Sequence, residues 1–218
     1  MIVITGASDG LGAELAKQLM DDGEKIISLS RTKPADGIEH IETDLEDPSS
    51  INEAIKMILA KEEPLKALVN NAGILSVEEL DSLTPEELQR IMQVNVSAAM
   101  SLVSGLLDRI KKDETDVVNV VSTNGVYMRP NRMTYSVSKW AMRGFTENLQ
   151  EQFRGTKVRV IGFYPGGFKS NNLTRATGHP LPNPEKWVDV EDMALALKQA
   201  MQHPKSMQVS TLVIERKL

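Results

Sequence analysis

Short apolar runs alternate with segments of helical periodicity along the whole chain. Ile2-Val3-Ile4 reads as a strand, and Leu11, Leu15 and Leu19 then recur at the spacing of one helix face. Ile26 to Leu29 predicts a second strand and Ile38 to Ile41 a brief third. Pro48 introduces a helix carrying Ile51, Ile55, Ile58 and Leu59, and Leu65 to Val69 reads as a fourth strand. Thr84-Pro85-Glu86-Glu87 supplies the N-cap, first-position proline and acidic first turn that open a helix. That helical pattern runs to about Lys112, with a break placed near Asn95. Val117 to Val121, Val158 to Phe163 and Val209 to Ile214 complete seven strands. A helix from about Thr134 to Arg154 separates the fifth and sixth. A last helix, Val190 to Gln202, is opened by Asp189 or Asp192 and stopped by His203-Pro204.

The runs near Ile2, Leu65 and Val117 are continuously apolar rather than alternating, as in parallel strands covered by helices on both faces. With strand and helix alternating throughout, the expectation is a doubly wound α/β fold with a seven-stranded parallel sheet. No repeat or composition shift divides the chain, so residues 1–218 are expected to form one domain. The longest irregular segment, Ser170 to Trp187, holds three prolines and one glycine. Loops of that length usually serve as lids or binding loops.

Composition narrows the function classes. The net charge of −5 and the lack of a Lys/Arg-rich run offer no electrostatic footprint for nucleic acid. With no cysteine, disulfides, thiolate zinc sites and thiol catalysis are excluded together. His40, His179 and His203 lack metal-ligand spacing, and no metal is expected. No apolar stretch reaches membrane-spanning length, and Met1 to Thr5 lacks the layout of a signal peptide. A soluble, cytoplasmic protein is the expectation.

Two local patterns carry chemistry. Thr5-Gly6-Ala7-Ser8-Asp9-Gly10-Leu11-Gly12 ends the first strand and opens the first helix. Glycines there let the backbone approach a pyrophosphate, and the helix N-terminus presents free N–H groups to its charge. The spacing G-x-x-x-G-x-G, with no Gly-Lys-Ser/Thr, disfavours a nucleoside-triphosphate P-loop. Further on, Tyr135 and Lys139 stand four residues apart and so share one helix face. A cation held beside a phenol favours its ionised form and brings a group of pKa about 10 closer to working pH. Ser122 lies thirteen residues before Tyr135, and Asn95 twenty-seven before Ser122.

With these elements in order, the chain resembles the short-chain dehydrogenase/reductase family, in its shorter main branch, from Met1 to about Ile214. The glycine loop is similar to that family's T-G-x-x-x-G-x-G, Asn70-Asn71-Ala72-Gly73 to its N-N-A-G element, and Pro165-Gly166 to its nicotinamide-side turn. Asn95, Ser122, Tyr135 and Lys139 match its catalytic tetrad in order and spacing.

The resemblance implies a Rossmann-like fold and hydride transfer between a nicotinamide and a carbonyl or secondary-alcohol substrate. Tyr135 would be the general acid/base and Lys139 would lower its pKa and bind the nicotinamide ribose. Ser122 would polarise the carbonyl, and Asn95, at a helix irregularity, would steady a proton-relay water. Gly6, Ser8, Asp9, Gly10, Leu11 and Gly12 would cradle the pyrophosphate and adenosine ribose, and Asp44 and Leu45 would border the adenine. Asn71, Ala72, Gly73 and Val94 would line the nicotinamide ribose, with Pro165, Gly166, Phe168 and Ser170 at the nicotinamide. Ser170 stands where the family usually has threonine.

Arg31 ends the second strand where NAD-preferring enzymes place an acidic residue, and its guanidinium suits a 2′-phosphate. NADP(H) is therefore expected over NAD(H). Met128, Phe168 and Trp187 are candidates for apolar substrate walls, and Arg129 and Arg132 for contacts to an anionic substrate. The short, proline-rich segment from Ser170 to Trp187 suggests a reduced lid and a more open pocket. The final strand is not followed by the extended tail that often packs across a tetramer. A homodimer, through helices near Ala98 to Ile110 and Tyr135 to Phe153, is preferred over a tetramer. A dinucleotide-sensing regulator without turnover is the alternative function, and an interaction protein with an inherited fold a third.

Overall fold

The computed structural model describes residues 1–77, 80–128 and 131–217, with Leu80 as backbone alone. Strands β1 (Ile2–Thr5), β2 (Ile26–Ser30), β3 (Glu39–Glu42), β4 (Ala67–Asn70), β5 (Asp116–Val120), β6 (Val160–Pro165) and β7 (Thr211–Ile214) form one sheet. Every pairing is parallel, and the order is β3-β2-β1-β4-β5-β6-β7. This is the expected doubly wound, Rossmann-like architecture. The winding reverses between β1 and β4, and sheets of this kind open their ligand crevice at such a reversal, beyond the carboxyl ends of the strands.

Burial follows from position in the sheet. Every residue of β1, β2, β4, β5 and β6 is buried, because helices cover both faces. The edge strand β7 alternates exposed and half-buried positions. Helices α1 (Gly10–Asp21) and α8 (Val190–Gln202) close one face over Ile4, Val69, Ile161 and Phe163. Helices α2 (Pro48–Leu59), α4 (Ala98–Gly105), α5 (Leu107–Asp113) and α6 (Met133–Gln152) close the other over Val3, Leu68 and Val117.

The helical region predicted from Pro85 to about Lys112 is divided. Thr84 caps α3 (Pro85–Met92) by accepting from the Glu87 amide at 3.2 Å. One π-helical turn, Gln93–Ser97, joins α3 to α4 and contains Asn95, the predicted break. A 62° bend then separates the Pro85–Gly105 stretch from α5. No single helix is long and apolar enough to cross a membrane. This bent pair passes on length and composition, yet Ala98, Leu102, Val103, Leu106 and Ile110 are in the core.

Two buried polar clusters fix the sheet, one towards each end of β5. Asn70 donates to Asn119 across β4 and β5 at 2.8 Å, and Asn119 donates to Thr146 on α6 at 2.9 Å. Arg159 forks onto Asp116 and also donates to the carbonyls of Met201 and His203, closing the end of α8. The segment from Ser170 to Trp187 differs from its expectation as a reduced, irregular lid. It contains a helix, α7 (Asn172–Thr177), ended by Gly178 in the left-handed conformation. Parallel bridging of Phe168 with Val188 ties the base of the segment together.

Candidate active site

A cleft of about 1360 Å³ lies beyond the carboxyl ends of the strands. Its first wall grows from β1. Gly6 turns the chain with φ +69°. Asp9 caps α1 by accepting from the Gly10 amide at 2.8 Å. The Thr5 hydroxyl accepts from the amides of Asn71 and Ala72, each at 2.9 Å, and the Asn71 side chain donates to the Thr5 carbonyl at 2.9 Å. A Cβ on Gly12 would stand 2.4 Å from the Gly6 carbonyl oxygen and from Asn71 Nδ2. Only glycine lets the helix, the glycine loop and the segment after β4 meet this closely.

The far end of this wall is charged. Arg31 lies 3.5 Å from the Glu46 carboxylate and Arg90 lies 3.6 Å from the same oxygen. Arg90 is also forked onto Glu87. Asp44 folds back on its own loop, accepting from the Glu46 amide at 2.9 Å. Arg31 therefore reaches the cleft, as its strand-end position predicts, but with a carboxylate already beside it.

The second wall holds the tetrad. Ser122 follows β5, with its oxygen accepting from the Asn124 amide at 3.1 Å, and lies close enough to the Tyr135 phenol to draw the phenol's pKa down. Lys139, only 3% exposed, lies with Nζ 5.6 Å from the centre of the Tyr135 ring and donates to the Val120 carbonyl at 3.1 Å. Asn95 donates to Ser138 Oγ at 3.0 Å and exchanges two hydrogen bonds with the Ile74 backbone, at 2.8 and 2.9 Å. Asn95 Oδ1 and Lys139 Nζ both flank Gly73, each 3.3 Å from where a Cβ would sit.

The electrostatics correct one expectation. Burial pushes the Tyr135 phenol above its ordinary value, and Ser122 and the nearby Arg132 charge pull it only partly back. Lys139 does not carry that shift: burial draws its own pKa down to about 8.

Nearly all the predicted residues line this single cleft: Gly6, Ser8, Asp9, Gly10, Leu11, Arg31, Asp44, Leu45, Asn71, Ala72, Gly73, Val94, Ser122, Tyr135, Lys139, Pro165, Gly166, Phe168 and Ser170. Gly12 and Asn95 do not. Gly12 is spent on packing, while Asn95 lines a cavity of about 10 Å³ behind the wall, together with Asn70 and Thr5. Trp187 lines the cleft, whereas Met128 is 65% exposed and lies outside it. Arg132 also lines it, and Arg129 lies outside the described residues.

Two cleft residues escaped the sequence reading. Arg175 of α7 pairs with Asp9, and Asn171 donates to the same carboxylate at 3.4 Å, so the lid helix is tied to the glycine loop. The segment expected to leave the pocket more open and the glycine loop, both lining the cleft, are thus joined. Arg216, after β7, stacks on Trp187 with 5.0 Å between guanidinium carbon and ring centre. The single signal for Arg175 was its place in the long loop, and periodicity carries none for Arg216.

Comparison with known proteins agrees with this geometry. Residues 1–180 match the family model described as short chain dehydrogenase. A 3-ketodihydrosphingosine reductase of Bacteroides thetaiotaomicron is 29% identical over 187 residues, 82% of this chain and 69% of that protein. The structure of an alcohol dehydrogenase from Thermococcus sibiricus, complexed with 5-hydroxy-NADP, superposes with a TM-score of 0.87 at 23% identity, covering 98% of this chain and 94% of that one. A 3-ketoacyl-(acyl-carrier-protein) reductase from Brucella melitensis, complexed with NADH, gives 0.87 at 25% identity, covering 98% and 96%.

Proposed function

We propose, from the fact that this chain belongs to the short chain dehydrogenase family, that it transfers hydride between NADP(H) and a carbonyl or secondary-alcohol carbon. The observation that carries the reading is that Ser122 and Tyr135, close enough to act on one another, line a cleft whose other wall is the glycine loop. The close approach of Gly12 to Gly6 and Asn71 supports the fit of a dinucleotide, because it keeps the glycine loop and the start of α1 free of a side chain at that position. Gly6, Ser8, Asp9, Gly10 and Leu11 would hold the pyrophosphate, with Asp44 and Leu45 at the adenine and Arg31 at a 2′-phosphate. Asn71, Ala72, Gly73, Val94, Pro165, Gly166, Phe168 and Ser170 would hold the nicotinamide end.

When bound, the nicotinamide supplies or accepts the hydride. The chain's own work is proton transfer. Burial keeps the Tyr135 phenol protonated, the state needed to donate to a substrate carbonyl oxygen as that oxygen gains charge. Ser122 steadies the phenol and offers its hydroxyl to the same oxygen. Tyr135 is left as phenolate, its charge balanced by Lys139 and Arg132, until a proton returns from solvent. In the oxidative direction the same phenolate takes the alcohol proton.

Asn95 acts at one remove, fixing Ile74 and Ser138 and so the positions of Gly73 and Lys139. The exposed apolar residues Met100 on α4, and Val137 and Trp140 on α6, support a homodimer through these helices. Light scattering of wild type and Trp140→Glu tests that pairing, with a monomer expected for the variant.

The test of function is NADPH oxidation with a panel of aldehydes and ketones. Tyr135→Phe is expected to lower turnover by roughly 10²–10⁴-fold, while fluorescence titration shows unchanged NADPH affinity. Binding without turnover in the wild type would favour the sensing regulator, and loss of both would sink the dinucleotide assignment.

A further inference from the structure

Five arginines line the cleft: Arg31, Arg90, Arg132, Arg175 and Arg216. Three of them end on carboxylates, Glu46, Glu87 and Asp9. Among the described residues Arg132 and Arg216 do not. Elsewhere among the described residues every arginine is paired, with Asp113, Glu147, Glu151 or Asp116. In a chain of net charge −5 a guanidinium readily finds a carboxylate, so two that lack one in the same cleft stand apart.

Both open onto the same cleft as Ser122 and Tyr135. Arg132 immediately precedes the 20-residue helix α6 and is close enough to Tyr135 for its charge to act on the phenol. Arg216 follows β7 beside the Pro165-Gly166 turn, and its guanidinium covers Trp187, whose ring in turn rests on Gly167. The described carboxylates lining the cleft, Asp9, Asp44, Glu46 and Glu87, come from the segments after β1 and β3 and from α3. Two guanidinium groups in one cleft with no paired acid among the described residues, one of them at the N-terminus of a long helix, are matched to an anion.

We propose that the substrate of this site is an oxo acid or hydroxy acid, whose carboxylate is bound by Arg132 and Arg216 while its carbonyl or hydroxyl meets Ser122 and Tyr135. This rests on the hydride-transfer reading given above. A planar guanidinium binds carboxylate through two parallel charge-assisted hydrogen bonds, and the Arg216 guanidinium is held over the Trp187 ring. The reaction is balanced: hydride adds to the carbonyl carbon, the Tyr135 proton to its oxygen, and the carboxylate is unchanged.

The experiment compares short 2-, 3- and 4-oxo acids with the methyl esters of the same acids, in the presence of NADPH. Wild type is expected to favour at least one acid over its ester by about tenfold or more in kcat/KM, an arginine-to-carboxylate discrimination in the ordinary range. Arg132→Gln and Arg216→Gln should each lower that acid-to-ester ratio by about tenfold, and Arg132→Lys should restore part of it. Because the readout is a ratio on one folded protein, general loss of activity does not mimic it. Esters turned over as well as acids, or a ratio that survives both replacements, would overturn the proposal and leave the oxidoreductase reading intact. If neither form is reduced, calorimetric titration of the NADP⁺-saturated protein with the acids decides: binding lost in Arg132→Gln supports the anion site without the reaction, and no binding overturns it.

Discussion

The ammonium of Lys139 lies 5.6 Å from the centre of the Tyr135 ring, on the same face of α6, and is almost wholly buried. Its pKa falls to about 8 from an ordinary 10.5, so the folded protein disfavours the charge that the proposed chemistry uses. Below pH 8 this costs stability. Between pH 8 and 10.5 the folded form has released a proton that the unfolded chain still holds, so stability rises with pH across that window. Lys139→Met is expected to raise the free energy of unfolding at pH 7 by about 3 kcal/mol, the value of the depressed pKa, with the gain vanishing towards pH 10.5. Urea denaturation at the two pH values checks it, and a variant less stable than wild type at pH 7 would contradict it.

The same residue shapes the pH profile of reduction. Tyr135 is held above its ordinary pKa and keeps its proton through the neutral range. Lys139 is then the first of the pair to titrate. The expected kcat/KM for carbonyl reduction, which reports the free protein, is level from pH 6 to 7.5 and falls above about pH 8. A profile flat to pH 9.5 would assign the charge at Lys139 no part in the reaction.

Glu46 stands between two arginines that a 2′-phosphate would otherwise meet, Arg31 at 3.5 Å and Arg90 at 3.6 Å. Replacing Glu46 by Gln removes the competing charge and keeps the shape. KM for NADPH should fall about three- to tenfold, within the range of a charge-assisted hydrogen bond, with little change for NADH. Arg31→Asp should do the reverse, raising KM for NADPH tenfold or more. Steady-state kinetics with both cofactors at low and moderate salt measure this. Equal responses of the two cofactors would remove Arg31 from the phosphate site.

Arg175 and Asn171 hold the lid helix α7 against Asp9 of the glycine loop. The pair is partly exposed, so its contribution to global stability is small, within about 1 kcal/mol. Its effect is local. Arg175→Ala should leave the melting temperature nearly unchanged while raising substrate KM several-fold and speeding proteolysis between Ser170 and Trp187. Unchanged cleavage in that segment would show that other contacts hold the lid.

Legibility followed the range of the interaction. The sheet could be read because continuous apolar runs such as Leu65 to Val69 demand cover on both faces. The π turn was foreshadowed because Asn95 interrupts an otherwise regular helical pattern. Strand ends were less legible: Val158 is buried, yet the ladder begins at Val160, because burial and hydrogen bonding need not start together. The cleft wall could be read where a local motif specifies it, as at Gly6, Asn71 and Tyr135. Arg175, Arg216 and Glu46 act across the cleft on partners far away in sequence, and no periodicity marks such a contact. The direction of the Tyr135 shift was hidden for a related reason, since the i, i+4 spacing reveals a neighbouring charge but not how deeply both groups are buried.

Arg159 offers a stability test remote from this chemistry. It is 4% exposed, forks onto Asp116 at the start of β5, and donates to the carbonyls of Met201 and His203 at the end of α8. Lys205 also donates to Asp116, at 2.5 Å. Removing the guanidinium leaves a buried carboxylate with one remaining cation and strips partners from α8 carbonyls that no helical amide can reach. Arg159→Ala is expected to cost about 3–5 kcal/mol, the range for breaking a buried ion pair. For a chain of this size that lowers the melting temperature by roughly 6–20 °C. The double variant Arg159→Met with Asp116→Leu removes both buried charges and should recover much of the loss, because the one ion left without its partner, Lys205, is half exposed to water. Thermal unfolding of the three proteins decides. A single variant as stable as wild type would show that Lys205 alone satisfies Asp116, and a double variant no better than the single would place the loss in the α8 carbonyls instead.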